Sequence, residues 1–180
     1  MGATIRQAAA ADAQELAELA TLTFPLACPP SSRPEDIEDY IAANLTVECF
    51  RGYLADPART VLVADDGGVL AGYSLLVSTP PADPDVAAVL AATAAQPTLE
   101  LSKCYVHPDH HGGGLAAALM AESVAHGIRN GAESIWLGVN DENARAIRFY
   151  QKSGFAKAGT KTFMLGARLE HDFVMVRPAD

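Results

Sequence analysis

The chain has 180 residues, 49% of them hydrophobic and 19% charged, with 13 basic and 22 acidic side chains and a formal charge of −9. That length predicts one domain over 1–180 with a real core. No apolar run is long enough for a membrane span, no basic-then-apolar leader opens the chain, and no basic stripe suits nucleic acid; neither partner is expected. Cys28, Cys49 and Cys104, odd in number and widely spaced, read as reduced thiols of a cytoplasmic protein. The charge is uneven. Residues 1–98 carry 13 acids and 4 bases, whereas 99–180 carry nine of each. The acidic first half suits a cationic small molecule, or simply solubility.

In chain order, a short strand over 4–7 precedes a helix over 13–22, which Asp12 can cap and in which Leu16, Leu19 and Ala20 recur at helical spacing. A proline-rich break at 28–34 follows. Pro34 suits the first position of a second helix, with Glu35 and Asp36 in its first turn and Ile37, Tyr40, Ile41 and Leu45 as its apolar stripe. A further helical piece covers 47–54. Strands over 60–64 and 69–76 flank Asp65-Asp66-Gly67-Gly68, a hairpin turn signal. Residues 79–97 form a Pro- and Ala-rich excursion with room for a helix over 85–95. The remainder reads as strand 99–106, helix 115–129, strand 134–139, helix 143–152 stopped by Gly154, and strands 155–165 and 173–176. This order predicts a mixed sheet in an α/β or α+β fold.

The sharpest local feature is Tyr105-Val-His-Pro-Asp-His-His-Gly-Gly-Gly-Leu-Ala116. A strand ends at Val106, and three glycines then open a helix. Glycines permit close ligand approach, and the unpaired amides of a helix start can hold phosphate. A connection that merely turns the chain would look the same. Three known glycine motifs fail here. A dinucleotide fingerprint needs its glycines directly after the strand. A P-loop needs a Lys-Ser/Thr pair, and an esterase oxyanion loop needs a Gly-x-Ser-x-Gly elbow.

A wider pattern fits. The stretch from Leu99 through Ala116 resembles the pyrophosphate-binding motif of the GCN5-related N-acetyltransferases, Arg/Gln-x-x-Gly-x-Gly/Ala after a strand ending in Tyr-Val. His111 stands in the Arg/Gln place, Gly114 in that of the glycine and Ala116 last. Residues 136–155, with Asn143-Ala144 and Phe149-Tyr150-Gln151-Lys152-Ser153-Gly154-Phe155, resemble the family's second motif. Ile135-Trp-Leu-Gly-Val139, Phe163-Met-Leu-Gly166 and Asp172-Phe-Val-Met175 look most like the bacterial spermidine/spermine branch.

The resemblance implies a central, mostly antiparallel mixed sheet with one splayed parallel strand pair, flanked by helices. It implies acetyl-CoA as co-substrate and no metal. The backbone of Cys104, Tyr105 and Val106 would pair with the pantetheine arm, and His111, Gly112, Gly113, Gly114, Leu115 and Ala116 would take the pyrophosphate. Asn143 would reach the pantetheine region or cap its helix, and Lys152 belongs to the same motif. Tyr150 is the implied general acid. Glu100 is the candidate proton acceptor, on one strand face with Ser102 and Cys104 by period-2 alternation. Glu35, Asp36 and Asp39 fall where acceptor-side helices lie, and either recognise ammonium groups or favour their own helix dipole. The expected partner is a small-molecule amine, plausible as a polyamine, and a homodimer is compatible with this reading. The rivals are another amine acceptor and a catalytically silent acyl-CoA-binding module.

Overall fold

The computed structural model describes residues 2–180. Its strands are β1 (Thr4–Gln7), β2 (Arg59–Asp66), β3 (Val69–Val77), β4 (Thr98–Val106), β5 (Ser134–Asn140), β6 (Ala156–Leu165) and β7 (Arg168–Pro178). Its helices are α1 (Ala13–Ala27), α2 (Pro34–Asn44), α3 (Val47–Ala55), α4 (Pro84–Thr93), α5 (Leu115–Arg129) and α6 (Ala144–Lys152). The strands form one sheet in the order β1-β2-β3-β4-β5-β7-β6. Every neighbouring pair is antiparallel except β4 and β5, which run parallel and pair only between Thr98–Glu100 and Ser134–Trp136. Beyond that point they separate. The expected mixed sheet with one splayed parallel pair is therefore present.

Both faces are covered, as an apolar strand pattern requires. On one face α1, α2 and α3 pack over a core of Leu16, Phe24, Phe50, Tyr73 and Leu75. On the other, α5 and α6 cover Leu99, Leu101, Leu119, Ile135, Leu137 and Met175. The excursion at 79–97 folds as α4, whose Val86 and Leu90 pack on Trp136 and Val174. That helix braces β5 and β7.

Three expectations need correction. The first helix does not stop at 22 but runs through Pro25 to Ala27. Proline removes one helical hydrogen bond, yet tertiary packing holds the added turn: Phe24 stacks on Tyr40 with ring centroids 4.3 Å apart. Asp12 precedes α1 without capping it. Its carboxylate accepts instead from Arg6 at 2.8 and 3.0 Å and from the Ala9 amide at 2.6 Å, tying β1 to the helix start. Finally, the last strand is eleven residues long and enters a tight hairpin with β6, where Gly166 takes φ +61°.

Candidate active site

The splay between β4 and β5 opens a cavity of about 620 Å³, within the usual range for small-molecule sites. Its lining comes from both faces of the sheet. Leu115, Asn143, Ala146, Phe149 and Tyr150 lie on the α5–α6 side, and Phe24, Tyr40, Tyr105 and Phe163 on the α1–α2 side. The cavity thus passes through the sheet at the point where two parallel strands stop pairing.

A β-bulge sets the chemistry of β4. The register of β3 with β4 slips between Leu75 and Leu76, so Leu75 faces Lys103 while Leu76 faces Leu101. One extra residue on β4, Ser102, reverses the alternation. Cys104 therefore packs with Leu99 and Leu101 against the α5 core. Glu100 instead opposes Val77, and shares its face with Lys103 and Tyr105. The expected common face for Glu100, Ser102 and Cys104 does not form, because period-2 counting assumes an unbroken ladder.

Glu100 is largely buried, and burial holds its pKa above the ordinary carboxylate value, opposed by Lys161, Lys103 and Arg59. Asp172 is raised for the same reason, with Lys161 3.6 Å away as the opposing charge. Lys161 belongs to β6 but lies across β7 onto β5. A side chain at Gly138 would meet its Cε at 2.5 Å, so the glycine is what lets the lysine lie there. Lys103 donates to the Tyr40 hydroxyl at 3.1 Å and sits over that ring.

Glu170 completes the acidic floor. It is 6% exposed and lines the cavity. Its Oε2 accepts from Asn140 at 3.2 Å. Its Oε1 is sealed from solvent with no hydrogen-bond partner, although Arg168 Nε stands 3.3 Å off. A buried carboxylate oxygen without a hydrogen bond is costly and is expected to find a donor.

Tyr150 lies near the end of α6, its ring 5.5 Å from Phe149 and 6.0 Å from Phe155. Burial holds its phenol well above the ordinary tyrosine value, so it stays protonated at neutral pH. Cys104, also in the lining, is pushed up to about 12 by burial. A thiol so held carries almost no thiolate at neutral pH and is a poor nucleophile.

The glycine loop forms the opposite wall. Gly112 and Gly114 take φ +84° and +81°, and nothing lies within 4 Å of a Cβ built on either. Gly114 ends the loop without a side-chain cap, so the first amides of the fifteen-residue α5 remain available. Of the loop residues, His111, Gly112, Gly114, Leu115 and Ala116 line the cavity and Gly113 does not. Asn143 caps α6 by accepting from the Ala146 amide at 3.1 Å and lines the cavity as well, and its Nδ2 makes no hydrogen bond to protein among the described residues.

The remaining sequence candidates lie elsewhere. Lys152 is exposed at the end of α6, outside the lining. Glu35 and Asp39 are exposed on α2, with Glu35 3.7 Å from Arg33. Asp36 is buried beside the β6–β7 turn, where its carboxylate fills the space a Cβ at Gly166 would need. None of the three faces the cavity. The acids that do, Glu100, Glu170 and Asp172, come from the charge-balanced second half of the chain. The available signal was the spacing of Glu170 and Asp172, two apart and hence on one face wherever the chain is extended.

Comparison with known proteins agrees with this architecture. A family model described as Acetyltransferase (GNAT) family matches residues 13–155. An uncharacterized N-acetyltransferase of Mycobacterium tuberculosis is 46% identical over 166 residues, covering 92% of this chain and 97% of that protein. The PaiA N-acetyltransferase of Thermoplasma acidophilum, solved in complex with coenzyme A, superimposes with a TM-score of 0.78 at 20% identity, over 99% of both chains. The yncA acetyltransferase of Salmonella typhimurium, solved with acetyl-CoA, gives 0.66 at 24% identity, over 100% of this chain and 95% of that one. The chain belongs to the GNAT family of acetyltransferases.

Proposed function

We propose that the protein moves an acetyl group from acetyl-CoA to a primary amine of a small acceptor that bears further positive charge, with a polyamine as the fitting class. The donor fits three features of the site: the uncapped amides of α5, the unpaired edges of β4 and β5, and the cavity between them. Free strand edges accept an extended chain as an added strand, and an uncapped helix start accepts phosphate. When bound, the donor supplies an acyl thioester. Glu100 takes a proton from the incoming ammonium, directly or through water. The neutral amine attacks the thioester carbonyl, the C–S bond breaks as the Tyr150 hydroxyl protonates the departing thiolate, and the remaining extra proton of the new amide nitrogen passes, directly or through water, to the phenolate and restores the phenol.

The observation that carries the acceptor class is the floor of the cavity. Three carboxylates, Glu100, Glu170 and Asp172, line it beside the ammonium groups of Lys103 and Lys161, and Glu170, whose Oε1 has Arg168 Nε at 3.3 Å as its ion-pair partner, makes no hydrogen bond through that oxygen. Phe24, Tyr40 and Phe163 add an apolar wall suited to methylene chains.

Thiol release measured over an amine panel tests the reading. Spermidine and putrescine should exceed propylamine in kcat/KM by about tenfold or more, a gain of about 1.4 kcal/mol from one additional charge contact. Glu170→Gln should erase that preference and leave the propylamine rate unchanged. Equal use of spermidine and propylamine refutes the acceptor class. Tight CoA binding with no turnover on any amine refutes the chemistry and favours a silent binding module.

A further inference from the structure

Proton bookkeeping on His111 reveals a second role split across two residues. Its Nε2 lies 3.0 Å from the Val106 carbonyl, and its Nδ1 lies 3.1 Å from Nη2 of Arg145. A guanidinium can only donate. Nδ1 must therefore accept, the ring proton sits on Nε2, and that N–H donates to Val106. Both ring nitrogens are engaged by protein. In this arrangement His111 has no donor left for a ligand, although it stands at the head of the glycine loop.

Arg145 is placed differently. It is the second residue of α6, where a cation opposes the positive end of the helix dipole. No carboxylate pairs with it among the described residues, and it lines the same cavity as Gly112, Gly114 and Ala116. One of its N–H groups goes to His111, and the rest of its planar fork is free. A cation set against a dipole and beside uncapped amides is stabilised once an anion arrives.

We infer that Arg145 is the cation that binds the donor's diphosphate, and that His111 is a positioning residue that fixes the guanidinium over the glycine loop. The contact is bidentate in kind, which suits a guanidinium better than an ammonium. The inference rests on the donor reading above, and its test separates the two.

Calorimetric titration with CoA and with dephospho-CoA, at fixed salt, reads the contact without turnover. Arg145→Met should weaken both ligands about tenfold, as expected for one lost charge-assisted contact, while the melting temperature stays put because the side chain is exposed. His111→Phe should weaken both about threefold by releasing the guanidinium. His111→Arg placed in the Arg145→Met protein should restore binding, which a merely structural role for either residue would not allow. Unchanged affinity in Arg145→Met overturns the assignment. So does a loss confined to CoA, since that would place Arg145 on the ribose phosphate. Failure of the unaltered protein to bind CoA refutes the donor reading itself.

Discussion

Tyr150→Phe separates chemistry from packing, because only the chemistry should respond. The side chain is half-buried at the cavity wall, its hydroxyl makes no hydrogen bond to protein, and desolvation is the main cause of its raised pKa. Phenylalanine keeps the ring contacts with Phe149 and Phe155. Stability should thus hold within about 0.5 kcal/mol. Losing a positioned acid costs about 10²–10⁴ in rate, or about 2.7–5.5 kcal/mol at 1.36 kcal/mol per decade. A pKa held above the ordinary value near 10 also means that the phenol remains protonated throughout the neutral and mildly alkaline range. Wild-type kcat should show no alkaline fall up to about pH 9–10 that depends on Tyr150. The assay is kcat by thiol release at saturating donor and acceptor, alongside the CoA dissociation constant and a thermal melt. A variant that keeps more than about a third of kcat refutes the acid role. Parallel losses in melting temperature and CoA affinity would instead make Tyr150 a packing residue.

The other predictions concern the acidic floor and the core. Glu100 must be ionised to take a proton, so kcat/KM should fall as pH drops through its raised pKa, and Glu100→Gln should remove that limb. Lys161 is the largest charge opposing the rise, so Lys161→Met should move the limb to higher pH; an unmoved limb would show that another group titrates. Gly138→Ala should act in the same direction, because the new Cβ displaces the Lys161 chain while the flexible lysine absorbs the clash. Denaturant unfolding should show no large stability loss for it. Leu119, fully buried between α5 and the sheet, should cost about 2–5 kcal/mol on change to alanine, and a value under 1 kcal/mol would mean that the α5 core is loosely packed.

Much of the fold could be read in advance because its elements announce themselves by period and punctuation. Helix α5 begins after three glycines and ends at Asn130-Gly131, over the range 115–129 that this punctuation predicts. The β2–β3 hairpin turns on Gly67 and Gly68, both at positive φ. The glycine loop and Tyr150 were readable because they are local motifs. Contacts made through space were not. Phe24 prolongs α1 by stacking on Tyr40 sixteen residues away, and nothing within the helix itself signals it. Nothing in the local sequence marks Arg145, and only the fold sets it beside His111. Glu35, Asp36 and Asp39 had the composition of a cation site, but α2 turns them to solvent or into the β6–β7 turn.

The bulge at Ser102 explains why the site could not have been assembled by counting. Had the alternation held, Glu100 and Cys104 would share a face, and a thiol would stand beside the base. The slip sends Cys104 toward α5 and keeps Glu100 with Lys103 and Tyr105 on the face that carries Glu170, Asp172 and Lys161. It falls just past the last β4–β5 pair at Glu100 and Trp136, where no partner strand resists an extra residue. Within three residues, then, β4 loses its partner on the β5 side and changes which of its side chains face α5. In the proposed reaction those two features put the acid, Tyr150, on one side of the sheet and the base, Glu100, on the other, with the gap between β4 and β5 as the passage where donor and acceptor would meet.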